Sequence, residues 1–287
     1  MRIDSRRIDG VLGTWTHSEW RPEGGDPLAD VVERIWDFDG RVADRRERIF
    51  PNGALELIVQ LDGRYHDVKG RELALTPVAC VTGIQTGPMV IEAPVEACRV
   101  LGVRFHPVGA WAVLDQPLSP LTGVTADLRD VLGSAAGELA GRCGDAPDAA
   151  DRIASAIAWL RERLHRSARR LRLNPAVRWM ADRIAGAPGA VRIDALRAQT
   201  GMSAARLSAA FREHVGVTPK RYARIHRFRR TLDVLHRGPS SLSDLALRAG
   251  YYDHPHMDAE FREFAGLTPR EFLAARRYPA STSVAGG

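Results

Sequence analysis

Cysteine is scarce in this chain of 287 residues, and most marks of an enzyme, a metalloprotein or a membrane protein are missing with it. The three cysteines, Cys80, Cys98 and Cys143, are too few and too scattered for a disulfide framework or a zinc cluster. Cys80 and Cys98 fall on candidate strands expected to be neighbours, which raises a thiol redox sensor, but a lone strand cysteine is more often a small core residue. His17, His66 and His106 show no paired His/Cys spacing, so no metal is implied. No acid/base or nucleophile cluster stands out: no catalytic residue, no cofactor and no enzymatic activity are expected. No apolar run approaches the roughly 20 residues that span a bilayer. The opening MRIDSRRIDG has charge without an apolar h-region, so no signal peptide is expected and the setting reads as reducing and cytoplasmic.

Lysine is nearly absent as well. Lys69 and Lys220 are the only two, and the basic charge is otherwise arginine. It is unevenly placed: residues 171–278 hold 19 basic and 10 acidic side chains, net +9, against +6 for the whole chain, which leaves −3 elsewhere. A basic C-terminal part on a mildly acidic N-terminal one points to a polyanion partner for the basic part.

What the chain does have is a repeat. Phe211–Tyr222, FREHVGVTPKRY, and Phe261–Phe272, FREFAGLTPREF, share F-R-E-x-x-G-x-T-P-[KR]-x-[YF] at an offset of 50. Upstream, Leu196–Gly201 faces Leu245–Gly250 at an offset of 49, so the units differ by one residue in the turn. Each copy predicts a helix end anchored by Phe211 or Phe261, with Gly216 or Gly266 where a left-handed cap is wanted. Thr218-Pro219 and Thr268-Pro269 then give an N-cap and a first-turn proline. Helix, glycine-containing turn, helix is a helix-turn-helix unit, here present twice.

In chain order, residues 1–30 read mostly as loop or arm, with Trp15 and Trp20 packing on the neighbouring domain. Residues 31–106 alternate apolar runs and turns at about ten-residue spacing, with turn signals at Asp39-Gly40, Asn52-Gly53 and Asp62-Gly63, which predicts a small antiparallel barrel or sandwich. Residues 108–170 are helical in composition. Their last helix opens at Pro147-Asp148 and carries Ile153, Ile157, Leu160 and Leu164 at helical spacing, either to dimerise or to pack on its own domain. Asn174-Pro175 starts the next helix with a stripe of Val177, Met180, Ala181 and Ile184; one long helix, Thr218 to Arg237, stops at Gly238-Pro239. The fold class is therefore α+β: a β-rich, barrel-like N-terminal domain with C-terminal helices (1–170), an all-α seven-helix domain with two helix-turn-helix units (171–278) and a disordered tail (279–287).

The C-terminal hundred residues resemble the DNA-binding domain of the AraC/XylS family of transcription regulators. The resemblance rests on Asp194, Leu196, Gly201, Ser203, Leu207, Phe211, Gly216, Pro219 and Tyr222, echoed by Leu245, Ala246, Gly250, Asp253, His256, Phe261, Gly266, Pro269 and Phe272. It implies seven helices, a long linker helix and two recognition helices entering successive major grooves of double-stranded DNA. A helix in the major groove reads base edges with the exposed side chains of its N-terminal turns. In the first unit these are Ser203, Ala204, Ala205, Arg206, Ser208 and Arg212, with Arg206 able to fork onto guanine. In the second they are His254, Pro255, Asp258 and Arg262, while His256 resembles a family position that either packs or touches backbone phosphate. Phosphate contacts are expected from Lys220, Arg221, Arg262 and Arg270 and from the helix starts at Thr218 and Thr268; for each cation the plain alternative is a solvated surface charge. Arg197, Ala209, Ala259 and Asp258 depart from the family pattern and predict fewer base contacts in the second unit.

The N-terminal part resembles a domain found on some AraC-type regulators, through Pro51, Asn52, Gly53, Glu56, Leu57, Gly102, Arg104, Phe105, Pro107 and Gly109. The resemblance implies a sensor for a small-molecule effector, with Trp36, Arg104, His106 and Trp111 as the groups to look for in a pocket. Some relatives of this family repair methyl-phosphotriesters with a four-cysteine zinc site, which three cysteines cannot make. The expected partners are DNA, an effector and RNA polymerase, with no membrane; the chain acts as a monomer or a homodimer, as activator or repressor. The alternative is a non-catalytic ligand-binding protein whose helical domain has lost strong DNA affinity.

Overall fold

A computed structural model describes residues 1–167, 174–237 and 241–274. The expected tail at 279–287, the boundary at 170/171 and the Gly238-Pro239 stop lie outside the described residues.

The strands are β1 (Asp4–Gly10), β2 (Gly13–Trp20), β3 (Val32–Val42), β4 (Arg46–Ile49), β5 (Glu56–Asp62), β6 (His66–Lys69), β7 (Glu72–Leu75), β8 (Ala79–Thr82), β9 (Met89–Glu92), β10 (Cys98–Phe105) and β11 (Thr125–Asp127). They form an antiparallel seven-stranded sheet, β1-β2-β3-β10-β5-β8-β11, and a four-stranded sheet, β4-β9-β6-β7. Both sheets keep free edges, so the barrel expected from the strand spacing is an open two-sheet arrangement. Alternate residues of the large sheet, Ile35, Leu57, Val59, Val81, Leu101, Val103 and Phe105, point into one core. The helices α1 (Gly109–Leu114), α2 (Leu128–Leu132), α3 (Ser134–Gly144) and α4 (Ala149–Arg166) cover it.

Several local expectations need correction. Residues 4–20 are not loop but a hairpin that extends the large sheet. β1 is polar and exposed almost throughout, as an edge strand can be, so it carries no alternating signal. Gly40 lies inside β3, not at a turn. The 108–170 segment is broken by a single 3-10 turn, Ser119–Leu121, and by β11, whose three residues pair with Thr82–Cys80 of β8. Cys80 and Cys98 are not on neighbouring strands, because β5 runs between theirs. All three cysteines are buried and free, and burial pushes the Cys80 thiol up to about 12 and that of Cys143 to about 11, away from the reactive thiolate.

Helix α4 packs on its own domain. Asp148 caps it, accepting the Asp151 N–H at 2.9 Å, and Ile153, Ile157, Leu160 and Leu164 are buried against the sheet. Arg152 on the same face forks onto buried Asp37 of β3 at 2.7 and 2.9 Å, so the ion pair is bidentate and fixes the helix on the strand.

The remaining described helices are α5 (Pro175–Gly186), α6 (Ile193–Thr200), α7 (Ala204–Val215), α8 (Pro219–Arg237), α9 (Leu242–Arg248), α10 (His254–Ala265) and α11 (Pro269–Ala274). Asn174 caps α5 with Pro175 in its first turn, and Val177, Met180, Ala181 and Ile184 are buried. The long α8 is the axis of this half, burying Tyr222, Ile225, Phe228, Leu232 and Leu235. Its core does not stop at the helices. Phe50, Ile84 and Val108 from the strand half join the same apolar cluster, and Phe50 stands edge-on to Phe228 at 6.2 Å and Phe272 at 6.0 Å.

Candidate nucleic-acid interface

Each helix-turn-helix unit is set by its caps. In the first, Ser203 accepts the Arg206 N–H at 3.3 Å and starts α7, whose Leu207 and Phe211 are buried, Phe211 standing edge-on to Tyr222 at 5.6 Å. In the second, Asp253 accepts the His256 N–H at 2.8 Å and starts α10, burying Met257, Phe261 and Phe264. Once cap and buried face are fixed, the phase of each helix is fixed, and the opposite stripe must face solvent. On α7 that stripe is Ala204, Ala205, Arg206, Ala209 and Arg212, all exposed, with Ser208 half-buried. On α10 it is Pro255, His256, Ala259 and Arg262, exposed, with His254 and Asp258 half-buried.

The two stripes differ in chemistry. α7 shows two arginines and no acid. On α10, Asp258 sits 3.3 Å from the His254 ring, so its one exposed arginine, Arg262, is offset by a carboxylate on the same face. His256 is also tied back: its Nδ1 accepts the Tyr252 N–H at 3.3 Å, and its ring meets Tyr251 edge-on at 5.4 Å.

The expected phosphate ligands divide. Lys220, Arg262 and Arg270 are exposed. Arg221 is turned inward instead: it pairs with Glu263, donates to the Thr86 carbonyl at 2.8 Å and lies over the Phe264 ring. It belongs to a ladder on α8, in which Arg224 and Arg227 reach buried Glu260 at 2.6 Å each and Arg224 also pairs with Glu263. The i, i+3, i+6 spacing of Arg221, Arg224 and Arg227 is the signal that could have identified this ladder as structural. Thr268 is engaged too. Its N–H and hydroxyl both donate to the Glu271 carboxylate, at 2.7 and 2.8 Å, and its hydroxyl oxygen accepts the Glu271 N–H at 3.2 Å, a capping box that uses the N–H expected for phosphate. At Thr218 the hydroxyl accepts the Arg221 N–H at 3.2 Å.

One surface residue escaped the sequence. Of the Tyr251-Tyr252 doublet, Tyr251 is in the core and Tyr252 is 86% exposed beside the Asp253 cap of α10. Nothing in the sequence says which of two adjacent tyrosines turns outward; the turn geometry decides it.

The four side chains proposed for an effector pocket do not converge. Trp36 lies over Gly102 and stacks on His17 at 6.4 Å. Arg104, two residues along β10 on the same sheet face, is buried between Glu33 at 2.9 Å and Glu56 at 2.8 Å. His106 follows β10, its N–H bonded to the Val31 carbonyl at 2.9 Å. Trp111 is in the core on the other side of the sheet, its ring stacked 4.0 Å from His214 of α7. Among the described residues no group of three or more His, Cys, Asp or Glu side chains could hold a metal ion, and no helix is long and apolar enough to cross a membrane.

Comparison with known proteins bears on both halves. Residues 196–275 match a helix-turn-helix domain family, and residues 22–127 match a domain of unknown function, DUF6597. No curated protein sequence matches the chain. Among solved structures, ToxT from Vibrio cholerae is similar over 80% of this chain and 95% of its own, at 9% identity and a TM-score of 0.44. The C-terminal domain of AraT, a response regulator from Geobacillus stearothermophilus, is similar over 40% of this chain and 96% of its own, at 17% identity and a TM-score of 0.34. At those scores neither likeness carries weight beside the family match and the doubled unit. With residues 196–275 matching a helix-turn-helix family, and with two capped units whose motifs are of AraC type, the C-terminal part of the chain is an AraC-type helix-turn-helix domain, the kind that DNA-binding transcription regulators carry.

Proposed function

We propose that the chain binds one face of double-stranded DNA through α7 and α10 in successive major grooves, with residues 171–278 as the DNA-binding domain and residues 1–170 as the effector or dimerisation domain. The observation that carries this reading is the pair of equivalently capped helices, each burying its phenylalanine face and turning its N-terminal stripe outward. Arg206 is the main base reader, being the exposed guanidinium nearest the start of α7. α10 reads less, since Asp258 and Ala259 occupy its face, and Tyr252 adds an apolar contact at its edge. Lys220, Arg262 and Arg270 hold phosphates, and Arg221 serves the fold instead.

An effector is best accommodated on the face of the large sheet turned away from its helices. There Trp15 and Phe38, 5.9 Å apart, and the stacked His17 and Trp36 are half-buried, with Arg104 further along. In this reading the protein acts in the cytoplasm beside RNA polymerase.

The test is selection of bound sequences from random duplexes with the full chain, and then binding measured on the selected DNA. Arg206→Ala is expected to weaken binding by about 10- to 100-fold and to relax one guanine position, the cost of one bidentate base contact. Binding that is weak, blind to sequence and indifferent to Arg206→Ala would favour a ligand-binding protein that has lost its DNA function.

A further inference from the structure

The strand half touches the two helix-turn-helix units at the same place in each. Gly216 and Gly266 cap α7 and α10 in the left-handed region, with φ of 101° and 72°. A helix end leaves carbonyls without partners, and here several are satisfied from outside the helical half. In the first unit the Thr122 hydroxyl donates to the Gly216 carbonyl at 2.6 Å, and the Leu118 N–H donates to the Glu213 carbonyl at 2.9 Å. In the second, the Arg48 guanidinium donates to the Ala265 carbonyl at 3.2 Å, where a cation also suits the negative end of the helix. Pro88 lies beside Gly266, and Arg221 ties the same unit to the Thr86 carbonyl.

The two gripping segments are one body. The Gly83 N–H donates to the Val124 carbonyl and the Gly123 N–H to the Ile84 carbonyl, each at 3.0 Å, so the 83–88 and 118–124 loops are bonded to each other. They approach so closely that a Cβ on Gly83 would stand 1.8 Å from the Leu121 carbonyl oxygen. β4, which carries Arg48, pairs with β9 directly after the first loop. One connected platform therefore holds both helix ends, that of α7 from the 118–124 loop and that of α10 from Arg48 on β4.

We infer that Arg48 and Thr122, outside the DNA-binding domain, are positioning residues that fix the separation and mutual angle of the two recognition helices. The inference rests on the two-groove reading above. It makes the strand half a gauge for the distance between half-sites, and any event that shifts one platform loop changes which spacing is read.

The test uses the full chain and DNA selected by it, rebuilt with one or two base pairs inserted or removed between half-sites, with binding monitored by fluorescence anisotropy. The wild-type chain is expected to show one spacing optimum. The doubly substituted chain, Arg48→Ala with Thr122→Val, is expected to lose about tenfold at that optimum and far less at the other spacings, so that the profile flattens. Arg48→Lys with Thr122→Ser, which retains a donor at each latch, restores it. Arg48 is exposed and Thr122 half-buried, so neither change opens the core. A wild-type optimum that the double variant keeps, or a loss equal at every spacing and on a single half-site, overturns the inference alone. Selected sites with one half-site and no spacing optimum overturn the two-groove reading and the inference with it.

Discussion

His226 lies where α8 meets the strand half, its ring 4.3 Å from Tyr222 and close against Gly53. Burial drives its pKa down from 6.5 to about 4, with Arg229 and Arg104 adding to the fall and Glu33 opposing it. The unfolded chain takes up this proton near pH 6.5 and the folded chain only near pH 4. Between these values the unfolded state binds more protons, so stability rises with pH across the window and is lost as pH falls through it. The loss attributable to this ring is about 3 kcal/mol. Urea denaturation of wild type and His226→Gln at pH 7 and pH 4.5 checks it: the variant is expected to lose less on acidification. None of this is legible in the sequence, where His226 is one polar residue on a helix rich in arginine. On the strand half its ring is covered by Gly53, more than 170 residues away in the chain.

Among elements, the caps were the most readable feature, because they are local chemistry: Asn174, Thr218 and Thr268 each accept an N–H from the first turn of their helix. The caps and the buried phenylalanines also set helix phase, so the outward residues on α7 and α10 are legible from the sequence alone. The roles of the cations were harder, since Arg221 and Lys220 are neighbours in sequence and opposite in environment. The cap glycines give an element-scale prediction. A Cβ on Gly216 would sit 3.2 Å from the Thr122 hydroxyl and 3.3 Å from the Leu118 carbonyl oxygen; on Gly266 the nearest atom, on Pro88, is 3.6 Å away. Both glycines have left-handed φ, so Gly266→Ala is expected to cost about 1 kcal/mol and Gly216→Ala roughly 2–3 kcal/mol, read as thermal shifts of the purified variants. Equal shifts would mean that the Thr122 contact does not press on the first unit.

For the whole molecule, the +9 net charge on residues 171–278 makes DNA binding a counterion-release process. Raising salt from 50 to 200 mM is expected to weaken binding by about a hundredfold, and Lys220→Ala to lower the log–log slope by about 1 on every sequence alike. A slope unchanged in that variant would remove Lys220 from the phosphate contacts. The division into a strand half and a helical half is visible in residue patterning. The joint between them is not, because it is made of single residues far apart in sequence: Phe50 on Phe228 and Phe272, and Trp111 on His214. A fragment beginning at residue 171 would leave Phe228 and Phe272 without the ring they face, and is expected to bind a hydrophobic dye and to melt below the intact chain. That joint bears on how such a regulator can be inherited or engineered. A DNA reader that borrows Phe50, Ile84 and Val108 for its own core is not a cassette. Grafted behind a foreign sensor, it would need substitutes for those three side chains at the same three places, so the two halves are bound to change together.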